Sequence, residues 1–524
     1  MKTPTENWRE IVQEKDTRIA ELEALVKFYE EQFRLNKQRQ YGASSEKSEY
    51  DQLNLFNEAE ATADANVAEP ELVEVERHYR KRKRESGDRL PDDLPVETVE
   101  HDLPEDEQIC PECGGDLHVM GRERRRELKL IPAQAVIVEH VRKVYACRDC
   151  EKDSYGVPIR KASMDEPVIK GSFASPEAVA QIMTQKFVMG APLYRQEQDW
   201  QRNGILLSRQ TMSNWLLRCT EDWLEPIYDA LHEIMLEYAS ALHADETTLQ
   251  VLREPGKTAQ SKSYIWLYRT SGYDRYGGKE PMPIVLYDYQ PDRRATRPQA
   301  FLKGYKGYLH TDGYAGYHSL PEDIVIVGCF AHARRKFDEA LKSMPEKDRE
   351  GSGALIGKRY CDKLFSIERL LENLSPDERF LKRQEQARPV LDEFYAWLKS
   401  QQIVKNLFGK AITYALDQWQ YLVRYLLDGQ LEISNNRAER SIKPFVIDRK
   451  NFLFANTPRG ARASAIMFSL IETAKENGLN PYLYLRYIFQ NAPNWNIRND
   501  PNKLQLLMPN CVPASCKAGA RIVP

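Results

Sequence analysis

No run in this chain approaches the roughly 20 consecutive apolar residues that a membrane-crossing helix needs. The amino terminus also lacks the apolar core of a secretory signal. A protein of the cell interior is therefore expected. A disulfide framework is missing too, because nine cysteines is an odd number in a chain of 524 residues. Four of the nine belong to a motif described below. Cys219, Cys329, Cys361, Cys511 and Cys516 have no evident pairing, and interior packing is their default. Net charge is nearly absent, at −3, so no overall excess of either sign points to a partner.

Hydrophobic residues make up 42% and charged residues 29%, an ordinary soluble composition in a chain long enough for several modules. Local charge is more pointed. Arg77 to Arg84 reads RHYRKRKR and Arg122 to Arg126 reads RERRR. Such runs serve as solvated faces as readily as nucleic-acid contacts.

Several modules follow one another along the chain. In residues 6–40, Trp8, Val12, Ile19, Leu22, Val26, Tyr29 and Phe33 keep an alternating four-three spacing, the seam of a coiled coil and so of a dimer. An amphipathic helix packed on its own chain is the plainer reading. Residues 42–100 form a polar, then acidic, then basic linker expected to be mobile. Residues 101–160 hold CPEC at Cys110 and Cys113 and CRDC at Cys147 and Cys150, around a strand-like middle. Two such knuckles make a four-thiolate zinc ribbon whose one Zn²⁺ is structural, since no coordination position stays open. His118 and His140 are nearby and not needed.

Residues 172–235 look helical, with Ser175-Pro176-Glu177 as a start signal. LYRQEQDWQRNG, ILLS and RQTMSNWLLR then read as helix, turn, helix. In a helix-turn-helix unit the second helix commonly enters the major groove, making Arg209, Gln210, Ser213 and Asn214 candidate DNA contacts. The alternative is a hairpin packed on its neighbours.

Short strands are expected at 241–252, 263–270, 283–289, 306–312 and 324–330, within a core spanning 240–345. A helical insertion follows at 346–430, carrying a capping box at Ser375 and apolar stripes at helical spacing. The core resumes at 431–490, and the tail, 491–524, gives little signal. Asp245 lies on the first strand, Asp312 at the end of the fourth, and Glu439 on a later helix. Two strand carboxylates and one from a distant helix, on a mixed sheet, are the pattern by which a ribonuclease-H-like core holds two divalent metals. The context of Asp245 sharpens the case. It interrupts a strand whose Leu242, Leu249 and Val251 should be buried, where an unpaired carboxylate is costly. Gly313 lets the chain turn straight after Asp312. Glu439 shares its helix with Arg437, Arg440 and Lys443, and from spacing alone a salt bridge to one of them is the simpler reading.

HADETTLQVL, LHTDGYAGY, CFAHARRKF and SNNRAERSIKPFVIDRKNFLFANTPRGARAS, with SSEK, CPECGG, CRDC and LNPYLYLRYIF, closely resemble the insertion-sequence-66 family of transposases, in particular its large catalytic subunit. The likeness covers some nine-tenths of the chain and stops before the carboxyl end. It implies a multidomain α+β protein: coiled-coil helix, zinc ribbon, helix-turn-helix, and a ribonuclease-H-like catalytic core with an all-helical insertion. It implies a DDE enzyme in which Asp245, Asp312 and Glu439 hold two Mg²⁺ or Mn²⁺ ions, Asp245 bridging both. Hydrolysis at the transposon end would free a 3′-hydroxyl, which then attacks target DNA in line. Arg437, Arg440, Lys443, Arg449, Lys450, Arg459 and Arg462 would steady phosphates. His332 could orient DNA or water, although a structural role for Cys329 and His332 is as good a reading. The implied partners are terminal inverted repeats, target DNA, a second copy or more of the chain and small accessory proteins of the same element. The implied place is the cytoplasm, on the nucleoid. The competing readings are a silent DNA-binding regulator and a metal nuclease that cuts without joining.

Overall fold

The computed structural model describes residues 159–273 and 282–520 continuously, residues 136–146, the strands Val73–Glu74 and Arg124–Arg125, and six positions of an amino-terminal helix (Lys15, Ile19, Leu22, Val26, Tyr29 and Glu30). The chain divides into two units, one of Met1–Ala43 with Met164–Pro524 and one of Ser44–Ser163. Among the described residues, no helix is long and apolar enough to cross a membrane.

In the smaller unit, Val73–Glu74 pairs antiparallel with Arg124–Arg125, and Val144–Ala146 with Ile159–Lys161. Among the described residues of the expected strand-like middle, Val144–Ala146 form a strand, and Val136, Ile137, Val138 and Val141 before it are exposed. Cys110, Cys113, Cys147, Cys150, His118 and the run Arg77 to Arg84 lie outside the described residues; His140 is exposed. Of the expected seam, Ile19, Leu22, Val26 and Tyr29 are helical and exposed, while Trp8, Val12 and Phe33 lie outside the described residues.

The larger unit opens with α1 (Pro176–Phe187), α2 (Leu193–Arg202), α3 (Arg209–Cys219) and α4 (Glu225–Tyr238). Ser175 caps α1 by accepting the Ala178 N–H at 3.1 Å, and Ser208 caps α3 by accepting that of Thr211 at 3.1 Å. These helices bury Val179, Ile182, Met183, Met212 and Leu216 in the same core as the sheet that follows.

That sheet has five strands: β1 (Ala241–Gln250), β2 (Lys262–Thr270), β3 (Val285–Gln290), β4 (Gly307–His310) and β5 (Ile324–Val327), with the short helix α5 (Thr296–Phe301) between β3 and β4. Their order is β3-β2-β1-β4-β5. The first three run antiparallel in a meander, and β1, β4 and β5 run parallel. Ile265, Trp266, Leu267 and Tyr268 of β2 are all fully buried, the unbroken apolar run of a strand covered on both faces. On one face Phe301 stacks on Tyr268 at 3.9 Å.

A helical lobe with its own core interrupts the chain after β5. It comprises α6 (Phe330–Ser343), α7 (Gly353–Leu370), α8 (Pro376–Ser400), α9 (Leu407–Asp417) and α10 (Trp419–Leu422), and Phe337, Leu364, Phe394, Leu398 and Ile412 fill its centre. The capping box at Ser375 forms as the sequence suggests. Although α6 precedes residue 346, its Phe337 packs on Phe394 within this lobe. Arg383 is the lobe's pin. Buried to 1% exposure, it pairs with Glu368 at 2.6 Å and donates to the carbonyls of Tyr425, Asp428 and Leu431 at 3.0, 2.9 and 2.8 Å. Those carbonyls belong to the segment leading into α11 (Asn436–Phe452), so the pin fixes where that helix starts.

After α11 come α12 (Pro458–Glu476), α13 (Pro481–Trp495) and α14 (Pro501–Gln505). Along the outer edge of β3, Thr473 and Ser469 of α12 accept the N–H groups of Val285 and Tyr287 at 3.0 and 2.8 Å, which closes an edge that would otherwise be open for pairing. The tail is packed: Leu507 is fully buried, and its carbonyl accepts from Tyr484 Oη at 2.9 Å.

Candidate catalytic site

Strand register sets the site. In the parallel pair, His243 of β1 stands opposite His310 of β4. Two residues further along each strand, Asp245 and Asp312 therefore come level at the same end of the sheet. Asp312 lies just past the end of β4, and Gly313 turns the chain with φ +92°. Asp312 Oδ1 accepts the Tyr314 N–H at 3.0 Å, and Tyr414 Oη of α9 donates to the Asp312 carbonyl at 2.8 Å. Asp245 Oδ1 accepts the N–H of Glu246 at 2.8 Å. Among the described residues, no ion pair engages either aspartate.

Glu439 comes to this edge through Asn435, the residue before α11. Its amide bridges His243 Nδ1 at 2.9 Å and donates to the Ala244 carbonyl at 2.8 Å, while its own N–H reaches Cys329 Sγ at 3.1 Å. One helical turn later, on the same face, stands Glu439. The neighbours in its own helix do not neutralise it: Arg437 pairs with Glu432, and Arg440 and Lys443 are exposed. Its contacts come instead from α6. Arg335 Nη2 lies 3.2 Å from Oε2 and His332 Nδ1 lies 3.7 Å from Oε1. Oε1 is buried without a hydrogen-bond partner.

The carboxylates act on one another. Burial lifts the acid of Asp245 well above the usual carboxylate range, and the charges of Glu246, Asp312 and Glu439 lift it further, against the Glu246 N–H. Glu246 is raised chiefly by burial and by Asp312. As the next residue along the strand it points to the other face, where Arg293 pairs with it and Tyr317 Oη donates at 2.7 Å. Beneath the aspartates the imidazoles of His243 and His310 stack at 4.3 Å, both fully buried. Burial carries His243 down to about 3 and His310 well below its usual value, so both are neutral. Burial pushes the Cys329 thiol up to about 11, with the N–H groups of Asn435, His332 and Ala331 pulling the other way. Glu246, Asn435, Arg335 and the histidine pair have no assigned role in the sequence reading. Strand alternation marks Glu246 as facing an apolar side, and Asn435 stands where a helix start is expected.

The basic candidates divide into two groups. Arg440, Lys443 and Lys450 are exposed along α11. Arg449 is committed inward, to Thr247 Oγ1 at 3.1 Å and Thr248 Oγ1 at 3.0 Å on β1. Arg459 and Arg462 pair with Glu221 and Glu225. In the helix-turn-helix segment Arg209, Gln210 and Asn214 are exposed and Ser213 half-buried. The backbone N–H of Arg209 is held by Glu197 at 2.9 Å, and Gln210 donates to Asn214 at 3.1 Å.

Comparison with known proteins agrees with this architecture. The model for "Transposase IS66 family" matches residues 171–463, which include all three acids. Residues 107–151, with the four ribbon cysteines, match the "zinc-finger binding domain of transposase IS66". Residues 29–99 match the "Transposase C of IS166 homeodomain" and 469–509 the "IS66 C-terminal element". Among relatives, the uncharacterized protein y4hP of Sinorhizobium fredii is 33% identical over 424 residues, covering 77% of this chain and 73% of its own. The uncharacterized protein y4jD of the same organism is 30% identical over 442 residues, covering 82% and 83%. With a family model spanning more than half its length and relatives matched along most of theirs, the chain belongs to the IS66 family of transposases.

Proposed function

We propose that this chain is an insertion-sequence transposase that binds the terminal inverted repeats of its element and cuts and joins DNA by a two-metal DDE mechanism on a ribonuclease-H-like core. One observation carries the reading: the β1–β4 register and the Asn435 bridge converge Asp245, Asp312 and Glu439 at one end of the sheet. The strand order, an antiparallel meander extended by two parallel strands, is the one that reading needs.

The residues present suit divalent cations. Asp245 is destabilised as an anion by its surroundings, Asp312 and Asp245 lack a cationic partner among the described residues, and Glu439 Oε1 is orphaned. Asp245, Asp312 and Glu439 would hold two ions, Mg²⁺ or Mn²⁺, which when bound polarise the phosphodiester and stabilise the attacking and leaving oxygens. The chain's own part is placement. Arg335 holds one oxygen of Glu439. Neutral His243 and His310 add no positive charge to compete beneath the acids. Arg293 and Tyr317 keep Glu246 on the opposite face and out of the ligand set. Exposed Arg440, Lys443 and Lys450 are suited to phosphates. Arg437, Arg449, Arg459 and Arg462, already paired within the fold, are less available. Arg209, Gln210, Ser213 and Asn214 would read or grip the repeat, the zinc ribbon would support that grip, and the amino-terminal helix would join two copies so that two DNA ends can meet.

The test is strand transfer on a terminal inverted repeat with magnesium. Joined product that disappears in Asp312→Asn, which keeps the Tyr314 hydrogen bond, supports a transposase. Cleavage without joining would instead make the chain a nuclease, and binding alone a regulator.

A further inference from the structure

Beside the two aspartates, Glu439 also meets a thiol and an imidazole that strand transfer leaves unused. Cys329 Sγ, His332 Nδ1 and Glu439 Oε1 all lie within 4.8 Å of one another. Cys329 caps the start of α6 in extended conformation, so the Cys-x-x-His spacing brings His332 round to it within the first turn, and Glu439 arrives from α11. Arg335 takes the other oxygen of Glu439, leaving Oε1 toward the thiol and the imidazole. Oε1 and His332 Nδ1 are both buried atoms without a hydrogen-bond partner, and the 3.7 Å between them is too long for a bond. Buried polar atoms in native folds are almost always satisfied, so two orphans and a sulfur around one point call for an occupant. Cys329 Sγ also accepts the Asn435 N–H at 3.1 Å, a contact that offsets part of the burial holding the thiol protonated and leaves deprotonation to a bound cation. The His332 and Glu439 side chains keep 23% and 27% exposure, which leaves a way in from solvent.

We propose that Cys329, His332 and Glu439 bind one thiophilic divalent cation of the zinc class, with a fourth position left to water. Thiolate, imidazole and carboxylate together select such an ion over magnesium, which requires oxygen donors. The site goes beyond the strand-transfer reading and shares only Glu439 with it. An ion here draws that carboxylate toward α6 and away from Asp245.

Cobalt(II) titration of the full-length protein, zinc-loaded at its ribbon, tests this through the sulfur-to-cobalt charge-transfer absorption. The ribbon is identical in every variant, so its contribution cancels in the comparison. Wild type is expected to take one cobalt per chain more than His332→Gln, whose affinity at this site falls by at least about tenfold. Cys329→Ser is expected to lose the added sulfur band. Identical titrations of wild type and His332→Gln would overturn the proposal, and His332 is exposed enough for that variant to fold. Asp312→Asn separates the two readings. Its sulfur-to-cobalt band should match wild type whether or not joining is lost, because cobalt on the carboxylates alone carries no such band, and loss of the band there would overturn the site.

Discussion

Asp245 is a residue that the fold tolerates rather than favours. Its carboxyl is a weaker acid in the folded chain than in the unfolded one, where it titrates near pH 4. The folded state therefore holds the extra proton. The stability linked to that proton is fully present below about pH 4 and is lost as pH rises through the elevated folded value. Without added magnesium, Asp245→Asn should stabilise the protein near pH 7 by on the order of 1–3 kcal/mol, the cost of keeping a polar group out of water in its charged form. The gain should vanish near pH 4. Urea melts at the two pH values measure it, and an equal effect at both would contradict the assignment. Asp245 was legible because an acid in a strand with Leu242, Leu249 and Val251 is conspicuous. Glu246 was not, because the charge that neutralises it belongs to Arg293, 47 residues later, and no local spacing announces that pair.

The helix α11 shows how an element can be legible while its placement is not. Its helical pattern is plain in the sequence, and so are the serine caps of α1 and α8. The amide of Asn435 spans 192 residues to His243, which only the folded chain reveals. Asn435→Ala strips the Ala244 carbonyl and His243 Nδ1 of their partner, and a loss of about 1–3 kcal/mol is expected in denaturant melts. Because this bridge positions Glu439, joining should fall further than repeat binding does. Equal losses in both would mean that Asn435 acts on stability alone. The expected strands appear within a few residues of their observed ends, since alternation and β-branched runs are local signals. The helical lobe's claim on α6 was hidden, because Phe337 finds Phe394 across 57 residues of chain.

At the scale of the full protein, binding to DNA should report which cations are free. Lys443 is exposed, whereas Arg449 is bound to Thr247 and Thr248. Lys443→Ala should lower the dependence of log affinity on log salt by about one unit of slope without moving the melting midpoint. Arg449→Ala should do the reverse, costing about 1–3 kcal/mol of stability and leaving the slope unchanged. Fluorescence anisotropy across a salt series, paired with melts, distinguishes them. Charge alone put both residues in one class, because sequence shows that a cation exists and not what already holds it.

The order in which the acids leave the ribosome has a consequence for the host cell. Asp245 and Asp312 emerge early, but Glu439 follows only after the whole helical lobe and the carbonyls held by Arg383. On the proposed mechanism, a polypeptide from a broken message or a stalled ribosome that stops inside the lobe carries two acids and not the third. Such fragments could not cut a chromosome, so the element is armed only by a translation event that runs nearly to completion.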